Sequence, residues 1–507
     1  MSRVSSAAVA AALVPDPRSP EPLYRQIYEK LRRQILSGAF SAGQQIPSSR
    51  ALAADLCVSR NTVMNAVAQL AAEGYLAGEP STGTFVAAVV PAEAGGVDAR
   101  APAAAPCVPR SPRWSRFGAR LASPGLRPEA WQRRPAPFRP GVPAFDQFPF
   151  DTWTRLLNQC WRRRAIELLN YGDPAGYLPL RRAIVDYMTI ARGIRGTPEQ
   201  VIIVAGAQQG LELTARLLLD GSDSVWMEEP GYVGMSSALQ VQGATVVPVP
   251  VDDAGLDVQR GIDRAPTAKM AYVTPSHQFP CGVTMSLGRR LELLNWAEKA
   301  DAWILEDDYD AEFRLVGRPI PALQGLDAND RVVYLGTFTK VLFPALRLAY
   351  LVVPPDLVDR FAAAKAAVDR QSPTPDQAVL ARFIEQGHLA RHIRRMRALY
   401  LERADALVRH ADRHLKGVVQ VSRPEAGMHT IGWLPDGEDD LDVSRRAAEA
   451  GVVAWALSKC YRHGVDAPRP GLVLGFAAYT EAEISEAVRT LAGVVGRPRR
   501  AFARSRL

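Results

Sequence analysis

One lysine, Lys340, occupies a position where an amine could act as a nucleophile. It follows the apolar run VVYLG (332–336), which predicts a strand, and it lies among small hydroxyl and apolar residues in GTFTKVLFPALRLAY. A lysine attacks a carbonyl only when it is deprotonated, and burial lowers its pKa toward that state. Open α/β folds also bind their ligands at the carboxyl ends of strands. The lysine alone is weak evidence, because most lysines lie on solvated surfaces.

Three further segments carry groups that complement such a lysine. The strand-like run WILEDDYDAEF ends in carboxylates, and AGAQQGLEL begins a helix whose first-turn amides could bind a phosphate. A carboxylate can pair with the ring nitrogen of pyridoxal, which keeps that ring an electron sink. EEPGY supplies Tyr232 for stacking on a ring, and Arg347 lies seven residues beyond Lys340. These residues leave open whether Asp307 or Asp308 would serve, and either could instead be a solvated acid or a helix cap.

The elements around these residues predict a large α/β domain. From about residue 138 onward, short apolar runs that favour strands alternate with helical patterns. Such alternation predicts a largely parallel sheet covered by helices. The predicted strands are VIIV (201–204), SVWM (224–227), TVVPV (245–249), MAYVT (270–274), WILED (303–307) and VVYLG (332–336).

The first part of the chain is periodic in a different way. PLYRQIYEKLRRQILSG predicts an amphipathic helix, and SSRALAADLCV and SRNTVMNAVAQLAAEGYL predict two more, capped by Ser48 and Ser59. The tight turn CVS joins the last two helices, and GEPSTGTFVA predicts a small hairpin. Two short helices around a tight turn are typical of a helix-turn-helix, whose later helix enters the major groove of DNA. A generic three-helix bundle would show the same spacing.

Composition narrows the class of protein and its compartment. The five cysteines among 507 residues form no CxxC pair, which argues against a zinc site or a disulfide framework and predicts a cytoplasmic protein. No apolar run approaches the length of a membrane span. The net charge is +8, and residues 91–134 hold eight Arg against three Asp and Glu in an Ala- and Pro-rich stretch that predicts a linker. Its Arg110, Arg113, Arg116 and Arg120 could add affinity for DNA or only keep a tether soluble.

Residues 22–86 resemble the winged-helix domain of the GntR-type regulators. The pattern PSSRxLAxxLxVSRxTVxxAxxxLxxEGYL, followed by GTFV, is matched almost throughout. The resemblance implies binding to double-stranded operator DNA, in which an arginine can form a bidentate fork on guanine or pair with a phosphate. The DNA-binding residues that it implies are Ser48, Ser49, Arg50, Arg60, Thr62 and the wing-tip residue Gly83.

From about Phe138 to its C-terminus, the chain resembles the fold-type-I pyridoxal phosphate enzymes of the aspartate aminotransferase class. NYGDPAGYLPLR, TPSHQFPCG and the segments described above carry this resemblance. The whole chain is thus similar to the MocR-type regulators, in which a GntR winged helix is fused to an aminotransferase-like domain. The implied fold is an α+β winged helix-turn-helix (20–88), a basic linker (89–135) and an α/β effector and dimerisation domain (136–500). That last domain would have a mostly parallel central sheet and a smaller C-terminal α+β subdomain.

The resemblance also implies pyridoxal 5'-phosphate as the cofactor and assigns residues to it. Lys340 would form a Schiff base with the cofactor, Asp307 would pair with its ring nitrogen and Tyr309 would bond its ring hydroxyl. Tyr232 would stack on the ring. The residues implied to contact the phosphate are Ala207, Gln208, Thr337, Thr339, Arg347 and, from the neighbouring subunit of a homodimer, Tyr171.

Two positions depart from the aminotransferase pattern. Phe279 stands where aminotransferases have an Asn for the ring hydroxyl, and Val473 stands where they have the Arg that clamps a substrate carboxylate. Arg462 and Arg469 are candidates to replace that arginine, and His277 is expected to be a hydrogen-bonded core histidine. We therefore expect a transcription regulator that senses pyridoxal phosphate or an amino-acid ligand, without efficient turnover. The alternatives are an active aminotransferase with an accessory DNA-binding domain and a regulator whose large domain only dimerises.

Overall fold

The computed structural model describes residues 12–79, 83–87, 114–122, 136–162, 166–318, 320–462 and 469–495. The chain divides into two compact units, Met1–Pro112 and Arg113–Leu507. Within the described ranges, no helix combines the length and the apolar character needed to cross a bilayer.

The first unit is a helix-turn-helix with a three-stranded sheet. Its α-helices are Leu23–Leu36 (α1), Ser49–Asp55 (α2) and Arg60–Ala72 (α3), and its strands are Gln45–Ile46 (β1), Leu76–Glu79 (β2) and Gly83–Val86 (β3). The strands pair antiparallel in the order β1-β3-β2. This arrangement confirms the predicted winged helix.

Local sequence explains the turn between α2 and α3. The side chains of Ser48 and Ser59 accept hydrogen bonds from the backbone N–H of Ala51 and Thr62, as expected of N-caps. Cys57 adopts a φ of 52°, in the left-handed region, and so reverses the chain between the two helices. Leu52 and Val63, one from each helix, are fully buried and join the unit's apolar core.

The second unit contains the α-helices Arg116–Leu121 (α4), Phe150–Arg162 (α5), Leu178–Arg192 (α6), Ala207–Leu218 (α7), Val233–Gln242 (α8), Val258–Arg264 (α9), Leu287–Lys299 (α10), Val358–Asp369 (α11), Thr374–Glu385 (α12), His388–His414 (α13), Asp440–Glu449 (α14) and Glu481–Val495 (α15). Its strands are Val201–Val204 (β4), Ser224–Glu229 (β5), Thr245–Asp252 (β6), Gly255–Leu256 (β7), Met270–Val273 (β8), Trp303–Asp308 (β9), Val332–Thr337 (β10), Ala349–Val352 (β11), Gln420–Val421 (β12), His429–Trp433 (β13), Trp455–Ala456 (β14) and Gly471–Gly475 (β15).

An eight-stranded, mostly parallel sheet forms the centre of this unit, in the order β4-β11-β10-β9-β8-β5-β6-β7. Neighbours from β10 through β6 pair in parallel, whereas β11 and β7 run antiparallel to their neighbours. The six predicted strands are β4, β5, β6, β8, β9 and β10, which confirms the α/β prediction. β11 was not among the predicted strands, because its apolar residues directly follow the Lys340 segment and no turn signal separates the two in the sequence.

A smaller antiparallel sheet, in the order β12-β13-β15-β14, forms the predicted C-terminal α+β subdomain. Residues of one face of this sheet, such as Leu472 and Leu474, are fully buried in a core shared with α13 and α15. The alternate residue Val473 points to the opposite face, because successive side chains on a strand alternate. That second face contributes to the site described below.

A buried ion pair joins α6 to the end of β9. Arg192 and Asp308 lie 2.8 Å apart, and each side chain is only 3% exposed. Asp308 also accepts a hydrogen bond from the hydroxyl of Tyr334 at 2.7 Å, and Arg192 donates to the hydroxyl of Ser276 at 2.6 Å. Breaking such a pair from one side leaves a buried charge without compensation.

We therefore predict that Arg192→Met lowers the free energy of unfolding of the large unit by about 3–5 kcal/mol, since it strands the Asp308 carboxylate. Urea denaturation followed by tryptophan fluorescence measures the loss. Arg445→Ala is the control, because it breaks an exposed pair with Asp442 and Glu449 and should leave the curve nearly unchanged. Equal midpoints for Arg192→Met and the unaltered chain would contradict the prediction.

Candidate functional site

A cavity of about 270 Å³ lies at the carboxyl edge of the eight-stranded sheet. Its walls come from segments that follow β5, β8, β9 and β10, from the start of α7 and from β13 and β14 of the smaller sheet. The structure brings nine of the ten predicted cofactor residues to this cavity: Ala207, Gln208, Tyr232, Asp307, Tyr309, Thr337, Thr339, Lys340 and Arg347.

Lys340 reaches into the cavity beside a backbone carbonyl. Its Nζ donates a hydrogen bond to the carbonyl oxygen of Gly141 at 3.0 Å. Burial lowers the pKa of Lys340, while the nearby carboxylates of Asp310 and Asp307 oppose that shift. Gly141 has a φ of +71°, and a Cβ at this position would lie 2.7 Å from Nζ, so a side chain there would displace the amine. The arrangement favours an uncharged, reactive amine more than a surface site would.

Asp307 presents a carboxylate oxygen that lacks a partner. Its Oδ2 accepts a hydrogen bond from the hydroxyl of Tyr272 at 2.8 Å, while Oδ1 is buried with no hydrogen-bond partner among the described residues. Burial raises the pKa of Asp307 to about 7, against the hydrogen bond from Tyr272. A buried acceptor of this kind requires a donor. The protonated ring nitrogen of pyridoxal phosphate is such a donor, so the residues present fit that cofactor.

Asp308 does not line the cavity. It points to the other face of the sheet, where it pairs with Arg192 and Tyr334. Adjacent residues on a strand face opposite sides, so only one of the two carboxylates can reach the cavity. The structure thus places Asp307 there, a choice that the residue pattern alone left open.

One end of the cavity is suited to a phosphate. The helix α7 starts at Ala207, and the amides of a first helical turn have no partners within the helix. The Arg347 guanidinium donates a hydrogen bond to the Ala205 carbonyl at 2.6 Å. It also lies against Gly206, where a Cβ on the glycine would be only 2.9 Å from Cζ of Arg347. The hydroxyl of Thr337 accepts a hydrogen bond from the backbone N–H of Thr339 at 3.1 Å, which orders the turn after β10. A helix N-terminus, a guanidinium and hydroxyl groups together favour a phosphate dianion.

A buried hydrogen-bonded network holds Tyr309. Its hydroxyl lies 2.9 Å from His277 Nδ1, and that nitrogen lies 3.0 Å from Asp310 Oδ1. His277 is only 3% exposed, in agreement with the expected hydrogen-bonded core histidine. His277, Asp310 and His429 have ligand atoms within 4.8 Å of one another, a spacing that could also hold a metal ion. His277 and His429 are already engaged in hydrogen bonds with Asp310 and the Pro280 carbonyl. We therefore interpret His277 and Asp310 as the residues that hold the Tyr309 hydroxyl in place.

Phe279 and Val473 occupy apolar surroundings. Phe279 packs edge-on to Tyr232, with ring centroids 5.8 Å apart. Val473 is fully buried, opposite Ile431 on β13 and Trp455 on β14. Neither position offers the polar group that an aminotransferase has in its place.

The two candidate replacements for the missing arginine are engaged elsewhere. Arg462 donates from its guanidinium to the Val246 carbonyl, and its backbone N–H donates to Glu229 at 2.8 Å. The Arg469 guanidinium donates to the Gln420 side chain at 3.0 Å and lies over the ring of Trp433. Neither lines the cavity. The suggestion that one of them replaces the carboxylate clamp was therefore wrong, because these contacts turn both guanidinium groups away.

Sequence reasoning missed several residues of the site, and most come from segments distant from the predicted motifs. Tyr272 lies within a predicted strand, two residues before Thr274, so the two side chains share one face of the sheet. That spacing was the only sequence signal for Tyr272. Gly141 lies in the Pro-Gly turn RPGVP, a signal of a turn but not of a lysine partner. The other cavity residues missed are Pro140, Thr274, Asp310, Met428, His429 and Trp455.

Tyr171 is the one predicted cofactor residue that does not line the cavity of its own chain. Its side chain is 78% exposed, and the guanidinium of Arg370 lies 5.6 Å from the ring centroid. A tyrosine in this position is open to a second molecule.

The predicted DNA-binding residues lie at the start of α2 and α3 and at the hairpin. Arg50 and Arg60 are exposed. The hydroxyl of Thr62 lies 2.7 Å from that of Ser59, so it also serves the cap of its helix. Gly83, the first residue of β3, pairs with Glu79, the last residue of β2. The hairpin tip between them, residues 80–82, lies outside the described residues. The predicted contacts of Ser48, Ser49 and these residues with DNA stay predictions.

The linker arginines do not behave alike. Arg110 and Arg113 lie outside the described residues, and Arg116 is exposed. Arg120, on α4, donates to the Val241 carbonyl at 3.0 Å near the C-terminal end of α8, where a helix dipole favours a cation. It is therefore bound to the large unit, a role that neither of the two interpretations anticipated.

Two protein families match the chain. The family described as aminotransferase class I and II matches residues 140–491, and the family of bacterial regulatory proteins, gntR family, matches residues 23–86. The aminotransferase class I and II fold implies dependence on pyridoxal phosphate, and a GntR helix-turn-helix implies DNA binding.

Several curated proteins are similar along nearly their whole length. The probable rhizopine catabolism regulatory protein MocR of Rhizobium meliloti is 40% identical, over 94% of this chain and 95% of that protein. The pyridoxine biosynthesis transcriptional regulator PdxR of Corynebacterium glutamicum is 32% identical, over 93% of this chain and 97% of that protein.

Solved structures resemble the large unit. The kynurenine aminotransferase of Pyrococcus horikoshii is 30% identical with a TM-score of 0.66, over 71% of this chain and 90% of that one. The α-aminoadipate aminotransferase LysN of Thermus thermophilus is 28% identical with a TM-score of 0.68, over 75% and 97%. With both domains matched and regulators similar from end to end, the chain belongs to the MocR-type transcriptional regulators, which join a GntR helix-turn-helix to an aminotransferase-like domain.

Proposed function

We propose that this regulator binds pyridoxal 5'-phosphate covalently at Lys340 and that the loaded domain controls binding of the helix-turn-helix to operator DNA. The signal is the cofactor itself or an amine-bearing ligand that meets it. The observation that carries the proposal is the pairing, in one cavity, of the Lys340 amine with the unpartnered carboxylate oxygen of Asp307. When bound, the cofactor supplies a reactive aldehyde conjugated to an electron-withdrawing ring.

The residues of the cavity divide the work of holding it. Asp307 would hold the protonated ring nitrogen, because its buried oxygen needs a donor. Tyr309, which His277 holds in place, would bind the ring hydroxyl, and Tyr232 would stack on the ring. The residues that take the phosphate are Ala207, Gln208, Thr337, Thr339 and Arg347.

The set of cations that line the cavity around Lys340 favours sensing over catalytic turnover. Among the described residues that line the cavity, Lys340 and Arg347 are the cations, and Arg347 lies at the phosphate end. An amino-acid substrate would therefore lack the bidentate clamp that orients it for reaction. Regulation requires that the cofactor or ligand bind two arrangements of the protein unequally, since only differential affinity shifts an equilibrium.

We further propose that the protein acts as a homodimer in the cytoplasm. Its DNA-binding domain would span residues 20–88, its linker residues 89–135 and its effector domain residues 136–500. Ile166, Leu169 and Tyr171 are each at least 70% exposed within six residues, an apolar surface that a second subunit would cover. Tyr171 would then reach the phosphate in the partner's cavity. The residues proposed to contact operator DNA are Ser48, Ser49, Arg50, Arg60, Thr62 and Gly83.

Lys340→Ala tests the cofactor proposal. Protein purified with added pyridoxal phosphate and then desalted should keep an absorption band near the visible edge, and Lys340→Ala should lose it because the covalent link is gone. Lys416→Ala removes an exposed lysine outside the cavity and should keep the band.

A band that persists in Lys340→Ala, or its absence from the unaltered protein, would reject cofactor binding at this lysine. Rapid transamination between an amino donor and a keto acid would instead favour the active-aminotransferase alternative.

Arg60→Ala tests the DNA-binding surface. It should weaken binding to a footprinted operator duplex by about 1–3 kcal/mol, because an arginine contact in the groove is lost, and it should leave the absorption band unchanged. Gel-shift titration measures the change. Arg25→Ala is the control, since Arg25 faces Glu21 at 3.4 Å in the same unit. Unaltered affinity of Arg60→Ala would remove α3 as the recognition helix.

A further inference from the structure

The wall of the cavity that faces the smaller sheet carries no positive side chain among the described residues. That wall consists of Met428, His429 and Trp455. His429 donates from Nε2 to the Pro280 carbonyl at 3.1 Å, and burial, aided by His277, lowers its pKa to about 4. It is therefore uncharged at neutral pH, and the wall as a whole is neutral.

The side chains behind this wall, on β13 and β15 of the smaller sheet, are apolar. On β13, Ile431 follows His429 at a spacing of two and so shares its face of the sheet. Val473 pairs with Ile431 on one side and with Trp455 on the other, and all three belong to one apolar cluster. A ligand carboxylate directed toward the smaller sheet would therefore meet the apolar side chains of Ile431, Val473 and Trp455 and no cation among them.

Among the described residues of one chain, the other positive groups do not compensate. Lys340 is assigned to the cofactor, and Arg347 is held beside Gly206 and Ala205 at the phosphate end. Arg139 precedes the lining residues Pro140 and Gly141, and its charge helps burial to lower the pKa of Lys340, but its side chain does not line the cavity. Burying an ionised carboxylate without a paired cation is strongly unfavourable, whereas a neutral hydroxyl costs far less.

We infer that the ligand of this cavity is a primary amine whose remaining groups are uncharged, such as an amino alcohol, and not an α-amino acid. This inference rests on the proposed function, since the amine is the group that meets the cofactor at Lys340. The wall of Met428 and Trp455 accepts the carbon frame. The indole N–H of Trp455 is buried without a hydrogen-bond partner among the described residues and can donate to a ligand hydroxyl, but no cation on the wall pairs with a carboxylate.

Matched pairs of ligands test the inference, because they differ only in the carboxylate. L-alanine is compared with L-alaninol and L-phenylalanine with L-phenylalaninol, by calorimetric titration of protein whose cofactor band has been measured. We expect each amino alcohol to bind at least about tenfold more tightly than its amino acid, since the carboxylate loses its hydration without gaining a partner. Cofactor-dependent shifts in operator affinity should follow the same order.

Two variants sharpen the comparison. Val473→Arg should reverse the preference by supplying a guanidinium on the face that carries Trp455, provided that it retains the cofactor band. Arg139→Ala should leave the preference unchanged, and so should Trp433→Phe, which alters the same sheet away from the cavity.

Each outcome decides a separate point. Tighter binding of the amino acids, or binding of neither class by protein that holds the cofactor, overturns the inference and leaves the proposed function standing. Loss of amino-acid binding in Arg139→Ala would identify Arg139 as a carboxylate anchor and overturn it too. If the unaltered protein holds no cofactor, the proposed function fails first and the inference falls with it.

Discussion

The structure around the end of β9 must compensate two buried carboxylates. Two adjacent carboxylates lie there on opposite faces of a buried sheet, and each needs its own compensation. Asp308 has a guanidinium and a phenol on its side, supplied by α6 and β10. Asp307 has one phenol and an oxygen without a partner among the described residues. Oδ1 of Asp308 likewise has no hydrogen-bond partner among the described residues, but Asp308 is paired with a cation and lies away from the cavity. Asp307 has no paired cation in that part of the chain and faces the cavity, where a ligand can supply the missing donor.

The same sheet edge explains why one lysine can react. The chain leaves β10, turns at Lys340 and returns as β11, so the amine is held at the carboxyl end of the parallel strands. Gly141, from a segment about two hundred residues earlier, approaches closely enough to fix the amine by its carbonyl. Burial then lowers the pKa of Lys340, while Asp307 and Asp310 limit the shift. The proposed cofactor chemistry thus depends on this set of buried charges.

Much of this architecture could be predicted from the sequence, for reasons that differ by element. The six parallel strands were evident because each is a short apolar run, and the helix-turn-helix because its caps and turn are local. The period of a strand shows that Asp307 and Asp308 face opposite sides, but not which side holds the cavity. His429 and Trp455 belong to a second sheet whose approach to the first no local pattern encodes. The directions of Arg462 and Arg469 likewise depend on distant carbonyl and amide partners.

The central claim is that Lys340 is the residue to which pyridoxal phosphate is joined. Borohydride reduction of the loaded protein, followed by proteolysis and peptide mass spectrometry, tests it most directly because reduction makes the link permanent. We expect a phosphopyridoxyl group on the peptide that contains Lys340 and on no other peptide. A modified peptide that contains a different lysine, or no modified peptide from protein that shows the absorption band, would contradict it.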